Sequence, residues 1–71
     1  MTDLLIRSSY IYDLLRTNRN YYFSTSDLAQ LLSKNVIHTD NGQVLQAIRT
    51  TTIRNHVVMY DDSRPYVFKY K

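Results

Sequence analysis

The chain has no cysteine, one glycine and one proline in 71 residues. Without cysteine there is no disulfide framework and no thiolate metal site, which fits a reducing compartment. The two histidines, His38 and His56, stand 18 positions apart with no carboxylate at ligand spacing, which speaks against a zinc site. A single glycine excludes a phosphate-cradling loop or a dinucleotide fingerprint, both of which need several. No apolar run approaches the ~20 residues needed to cross a bilayer. The start, Met1-Thr2-Asp3-Leu4-Leu5-Ile6, lacks the basic and long apolar stretches of a signal peptide. The expected setting is therefore cytoplasmic, with no membrane partner. Nothing resembles a nucleophile elbow or a paired-carboxylate site, and a Ser24, His38, Asp40 set can be written from almost any sequence. The reading is that the chain is not an enzyme and carries neither metal nor cofactor.

What is present argues for one small folded domain over residues 1–71. Hydrophobic residues make up 44% of the chain, spread over Leu, Ile, Val and Tyr, well above the composition of disordered segments. The charge is uneven. Residues 1–40 balance Arg7, Arg16, Arg19 and Lys34 against Asp3, Asp13, Asp27 and Asp40. Residues 41–71 set Arg49, Arg54, Arg64, Lys69 and Lys71 against Asp61 and Asp62, and so hold the whole net charge of +3. A neutral scaffold carrying a basic segment points to nucleic acid.

The spacing predicts a first helix over about 3–18, capped by Thr2 or Asp3, with Leu4, Ile11, Leu14 and Leu15 on one stripe. Leu5, Ile6, Tyr10 and Tyr12 flank that stripe. A helix so apolar all round is either covered by several neighbours or set at an interface with a second copy or a partner protein. Tyr21-Tyr22-Phe23 reads as a short strand with one of the two tyrosines buried. Ser24-Thr25-Ser26-Asp27 is a capping-box pattern that opens a helix over about 25–33, burying Leu28, Leu31 and Leu32. A long connection over 33–42 follows, anchored by Val36 and Ile37. Asp40-Asn41-Gly42-Gln43 is a second capping box and opens a helix over about 41–54. There Val44, Ala47, Ile48 and Thr51 share the inner face. Residues 56–60 and 66–70 are strands joined by the turn 61–65, with Tyr66, Phe68 and Tyr70 on one face.

The fold class is α+β, three helices and a small antiparallel sheet in the order α-β-α-α-β-β. That order resembles the winged helix-turn-helix superfamily over nearly the whole chain. The resemblance lies in layout rather than in a diagnostic motif. It implies that Ser24-Thr25-Ser26-Asp27-Leu28-Ala29-Gln30-Leu31-Leu32 matches the family's second helix. It also implies that the third helix enters the major groove of double-stranded DNA and that the 56–70 hairpin is the wing. The expected role is sequence-specific DNA binding in transcriptional regulation by a small regulator, acting as a dimer or beside a partner.

The residue types suit that role. Gln43, Gln46, Arg49 and Thr50 are side chains that can reach base edges, with Arg pairing guanine and Gln pairing adenine. Arg54 on the same helix is the partner of Arg49 in a candidate base-reading pair. Arg64 at the wing tip would enter the minor groove or hold a phosphate, and Lys69 and Lys71 would contact the backbone, which gives affinity without sequence information. About four neutralised phosphates predict a slope of log affinity against log salt of about −3.6. The aspartates of the 61–65 turn would oppose phosphate and can pair with Arg64. The alternative is a protein-interaction adaptor on the same fold that does not bind DNA, favoured by the apolar first helix and the tyrosines. A small RNA-binding domain is a third.

Overall fold

The computed structural model describes residues 2–60, 62 and 66–71. It is α+β: three helices and a three-stranded antiparallel sheet. Helix α1, Asp3–Thr17, begins where the Thr2 hydroxyl accepts the Leu5 N–H. Strand β1 is the two residues Phe23–Ser24. Helix α2, Thr25–Asn35, starts at a complete capping box between Ser24 and Asp27. Helix α3, Asn41–Arg49, starts at a second one between Asp40 and Gln43. A 3-10 turn, Thr52–His56, leads into β2, Val57–Tyr60, and β3, Val67–Tyr70.

The sheet order is β1-β3-β2, so β3 is central and pairs on both sides. Its inner face carries Phe68, with no exposed surface, packed among Ile11 and Leu15 of α1, Leu28 and Leu32 of α2, and Val44 of α3. Ala47, Ile48, Ile53 and Val57 complete this core. Because side chains alternate along a strand, Val67 and Lys69 lie on the outer face, opposite Tyr60 and Val58.

Five expectations are corrected. The first strand lies at Phe23–Ser24, not at 21–23, because its pairing is dictated by β3: Phe23 stands opposite Phe68 and Ser24 opposite Val67. Tyr21 and Tyr22 are both exposed, at 56% and 50%. Tyr21 rests edge-on against Phe23, and Tyr22 turns to the outer face beside Tyr60. The third helix stops at Arg49 instead of running to 54. The Thr50 hydroxyl donates to the Gln46 carbonyl at 2.6 Å and the Thr51 hydroxyl donates to that of Ala47. These side-chain bonds to the backbone compete with a further turn in β-branched residues already poor at helix propagation. His56 accordingly belongs to the 3-10 turn and not to the hairpin strand. The connection between α2 and α3 is five residues, 36–40, half the expected length, since α2 continues to Asn35.

That short connection is tied down on both sides. The Ser33 hydroxyl accepts the Thr39 N–H at 2.9 Å and donates to the Thr39 carbonyl at 3.0 Å. Arg7 of α1, only 8% exposed, reaches across. Its Nε donates to Thr39 Oγ1 at 3.0 Å and an Nη donates to the His38 carbonyl at 2.8 Å. A buried guanidinium and a shared hydroxyl therefore set where α3 begins.

Candidate nucleic-acid interface

Burying Val44, Ala47 and Ile48 turns the opposite side of α3 outward, and Asn41, Gly42, Gln46, Arg49 and Thr50 are exposed there. Neither Gln46 nor Arg49 donates a side-chain hydrogen bond to the protein or forms an ion pair among the described residues. Arg49 holds its guanidinium carbon 5.9 Å from the Tyr66 ring centre, just before β3. That contact orients the side chain while leaving its N–H edge available.

The other expected residues divide. Gln43 is half-buried, and its side-chain oxygen accepts the Asp40 N–H at 3.0 Å, so it serves the cap. Thr50 spends its hydroxyl proton on Gln46. Arg54 lies on the 3-10 turn, yet it still lines a shallow depression with Thr50, Thr51, Thr52 and Asn55 at the end of α3. Lys69 is on the outer sheet face with its Nζ 5.2 Å from the Tyr22 ring centre, apart from Gln46 and Arg49. Lys71 is exposed next to His56, its backbone N–H donating to the His56 carbonyl at 2.8 Å. Arg64 lies outside the described residues, as do Asp61, Ser63 and Pro65.

On the other side of the α3 start runs an open groove of about 820 Å³, between α2 and the loop that precedes α3. Ser26, Gln30 and Lys34 line it from α2, and Asn41 and Gly42 line it from α3. Gly42 is the one position where a side chain would crowd the cap, since a Cβ there would stand 3.3 Å from Asp40 Oδ1. Ser26, Gln30 and Lys34 were missed in the sequence reading. Their four-residue spacing opposite Leu28 and Leu32 is the signal that would have found them.

On α1, only Leu5 of the four residues expected at an interface stays largely exposed, at 49%. Tyr10 accepts a hydrogen bond from Asn35 at 3.3 Å, Tyr12 joins a ring cluster, and Ile6 is half-buried. Ser24 and Asp40 are both committed to caps, which leaves no hydroxyl, imidazole and carboxylate relay with His38. Among the described residues no three His, Cys, Asp or Glu side chains group as a metal site, and no helix is long and apolar enough to cross a membrane. Compared with known proteins, the chain matches no family model, no curated sequence and no solved structure.

Proposed function

We propose that this chain is a winged helix-turn-helix protein that binds double-stranded DNA in transcriptional regulation, with α3 in the major groove and the β2–β3 hairpin as wing. The observation that carries the reading is the exposed pair Gln46 and Arg49 on α3, neither of which spends its side-chain N–H groups on a hydrogen bond or ion pair among the described residues. Three residues of helix rise separate them by about 4.5 Å, close to the ~3.4 Å step between base pairs. Two neighbouring pairs are then within reach, with Arg49 on guanine and Gln46 on adenine, each good bidentate contact giving about 1–3 kcal/mol of discrimination.

Phosphate contacts fall to Lys34 on one side of α3 and Arg54 on the other, with the Ser26 and Gln30 side chains as neutral donors. With Lys34 and Arg54 each neutralising one phosphate, log affinity falls with log salt at a slope of about −1.8. The test is a fluorescence-anisotropy titration of mixed-sequence duplex at several salt concentrations. Arg49→Ala with Arg54→Ala weakens binding and reduces the slope by about 0.9 while the fold is kept. A folded sample that fails to bind at low salt overturns the reading.

One observation favours the adaptor as the second reading. Leu5 stands exposed beside a groove lined by Leu4, Tyr12 and Ile53 between α1 and the 3-10 turn. In that case the Arg49→Ala, Arg54→Ala variant keeps its protein partner and Leu5→Asp loses it.

A further inference from the structure

Arg16 and Arg19 belong to the half of the chain whose charges cancel, yet the fold carries them to the 3-10 turn and the end of β3. Tyr12 of α1 and Tyr70 of β3 pack with ring centres 6.0 Å apart. The His56 ring sits edge-on to Tyr12 at 5.4 Å and nearly parallel to Tyr70, 11° between planes, at 6.4 Å. Each tyrosine also carries an arginine. The guanidinium carbon of Arg16 is 5.5 Å from the Tyr12 ring centre, and that of Arg19 is 5.1 Å from the Tyr70 ring centre.

A guanidinium stacked on a ring uses its flat face and keeps its N–H edge free for a planar, bidentate acceptor. Two such forks on adjacent rings, with an imidazole against both rings, bring three cationic or donor side chains to one ring cluster. The Tyr12 phenol titrates above its ordinary value, first through the Tyr70 side chain packed beside it and then through burial. Among the described residues the two arginines share a single carboxylate partner. Asp13 meets Arg16 at 3.4 Å, with both side chains more than half exposed, and this is the one ion pair among the described residues. Arg19 has none. Holding two like charges on neighbouring rings is unfavourable, and an anion bound to both relieves it.

We propose that Arg16, Arg19 and His56 form a phosphate-binding site distinct from the α3 surface, with the two guanidinium groups clasping the phosphoryl oxygens and the imidazole as a further donor. A backbone phosphodiester and a free phosphate both offer this chemistry. The site stands whether or not α3 reads DNA.

The first test is titration of the full chain with inorganic phosphate at low ionic strength, followed by the arginine Nε–Hε NMR signals, with chloride at matched ionic strength as control. The Arg16 and Arg19 signals shift and saturate with phosphate and not with chloride. Arg16→Gln with Arg19→Gln abolishes the response while the amide spectrum still reports the fold. Asp13→Asn tightens phosphate about two- to fivefold, the range of a lost exposed ion pair. Arg19→Lys keeps the charge but weakens binding, because it loses the fork. Equal shifts with phosphate and chloride overturn the proposal, as does an unchanged response in the double glutamine variant.

A second arm separates the two sources. With duplex DNA, a backbone ligand makes the double glutamine variant lose about 1.8 from the salt slope, in addition to the change from Arg54→Ala. If the slope is unchanged while the phosphate response is lost, the ligand is a small phosphate. If wild-type protein does not bind duplex at all, the α3 reading fails, and the phosphate titration still decides this site.

Discussion

Arg7→Ala tests whether the start of α3 is held from across the core. Arg7 is buried, and it donates to Thr39 Oγ1 and to the His38 carbonyl with no carboxylate beside it among the described residues. Hydrogen bonds from a charged donor contribute about 1.5–3 kcal/mol each, so the two give about 3–6 kcal/mol before costs. Against them stands the desolvation of an unpaired guanidinium, several kcal/mol in its own right. The two nearly cancel, and the polar part nets about 1 kcal/mol. Truncation to alanine also removes two packed methylenes, about 1.6 kcal/mol at ~0.8 kcal/mol each. Arg7→Ala should therefore cost about 2–4 kcal/mol, and Arg7→Met, which refills the space, about 1 kcal/mol. In urea, at a slope of about 1 kcal/mol/M, the alanine midpoint falls by about 2–4 M and the methionine midpoint by about 1 M. Amide NMR shifts in both variants should reach residues 38–43. If methionine is as damaging as alanine, or alanine costs under ~0.5 kcal/mol, the guanidinium does not act as described.

Further outcomes follow from single contacts. The Thr25 hydroxyl is buried with no hydrogen-bond partner, so Thr25→Val should stabilise by about 1 kcal/mol and raise Tm by about 4–8 °C; a lower Tm contradicts this. Ser24→Ala and Asp40→Ala each break a capping box and should cost about 1 kcal/mol, read from thermal melts; an unchanged Tm for either would mean that its box contributes nothing. The Tyr12 phenol is raised above 10.0, first by its hydrogen bond to Tyr70 and then by burial. A raised value means the folded state holds the proton more tightly. Its contribution to stability is therefore full below pH 10 and is lost as pH climbs through the raised value. Tyr12→Phe should remove one phenolate absorbance step above pH 10, and a titration curve that keeps the step refutes the assignment.

What could be read from the sequence was local, and what escaped it was not. Both capping boxes join residues three apart, so Ser24 with Asp27 and Asp40 with Gln43 announce themselves before any fold exists. The alternation that sets Phe68 inward is equally local. The end of α3 was misjudged because three threonines in a row leave the outcome to competing side-chain bonds, which helix propensity alone does not rank. The later start of β1, at Phe23 and not Tyr21, came from its partner 45 residues away, since Phe23 pairs with Phe68.

The arginines show the same limit most clearly. Counted by segment, Arg7, Arg16 and Arg19 cancel against aspartates, and all the basic character falls in residues 41–71. Folding spends them differently. Arg7 is drawn inside to a threonine 32 residues away, where it positions the start of α3 rather than adding to any surface field. Arg16 and Arg19 come out beside His56 and Tyr70, so the end of the domain that a segment count marks as neutral becomes basic. Lys69 moves the other way, onto a sheet face with Tyr22 and away from Arg49. Net charge per segment therefore marks a chain as one that can meet a polyanion. Where that polyanion would lie is decided by which cations the core and the aromatic rings have already claimed.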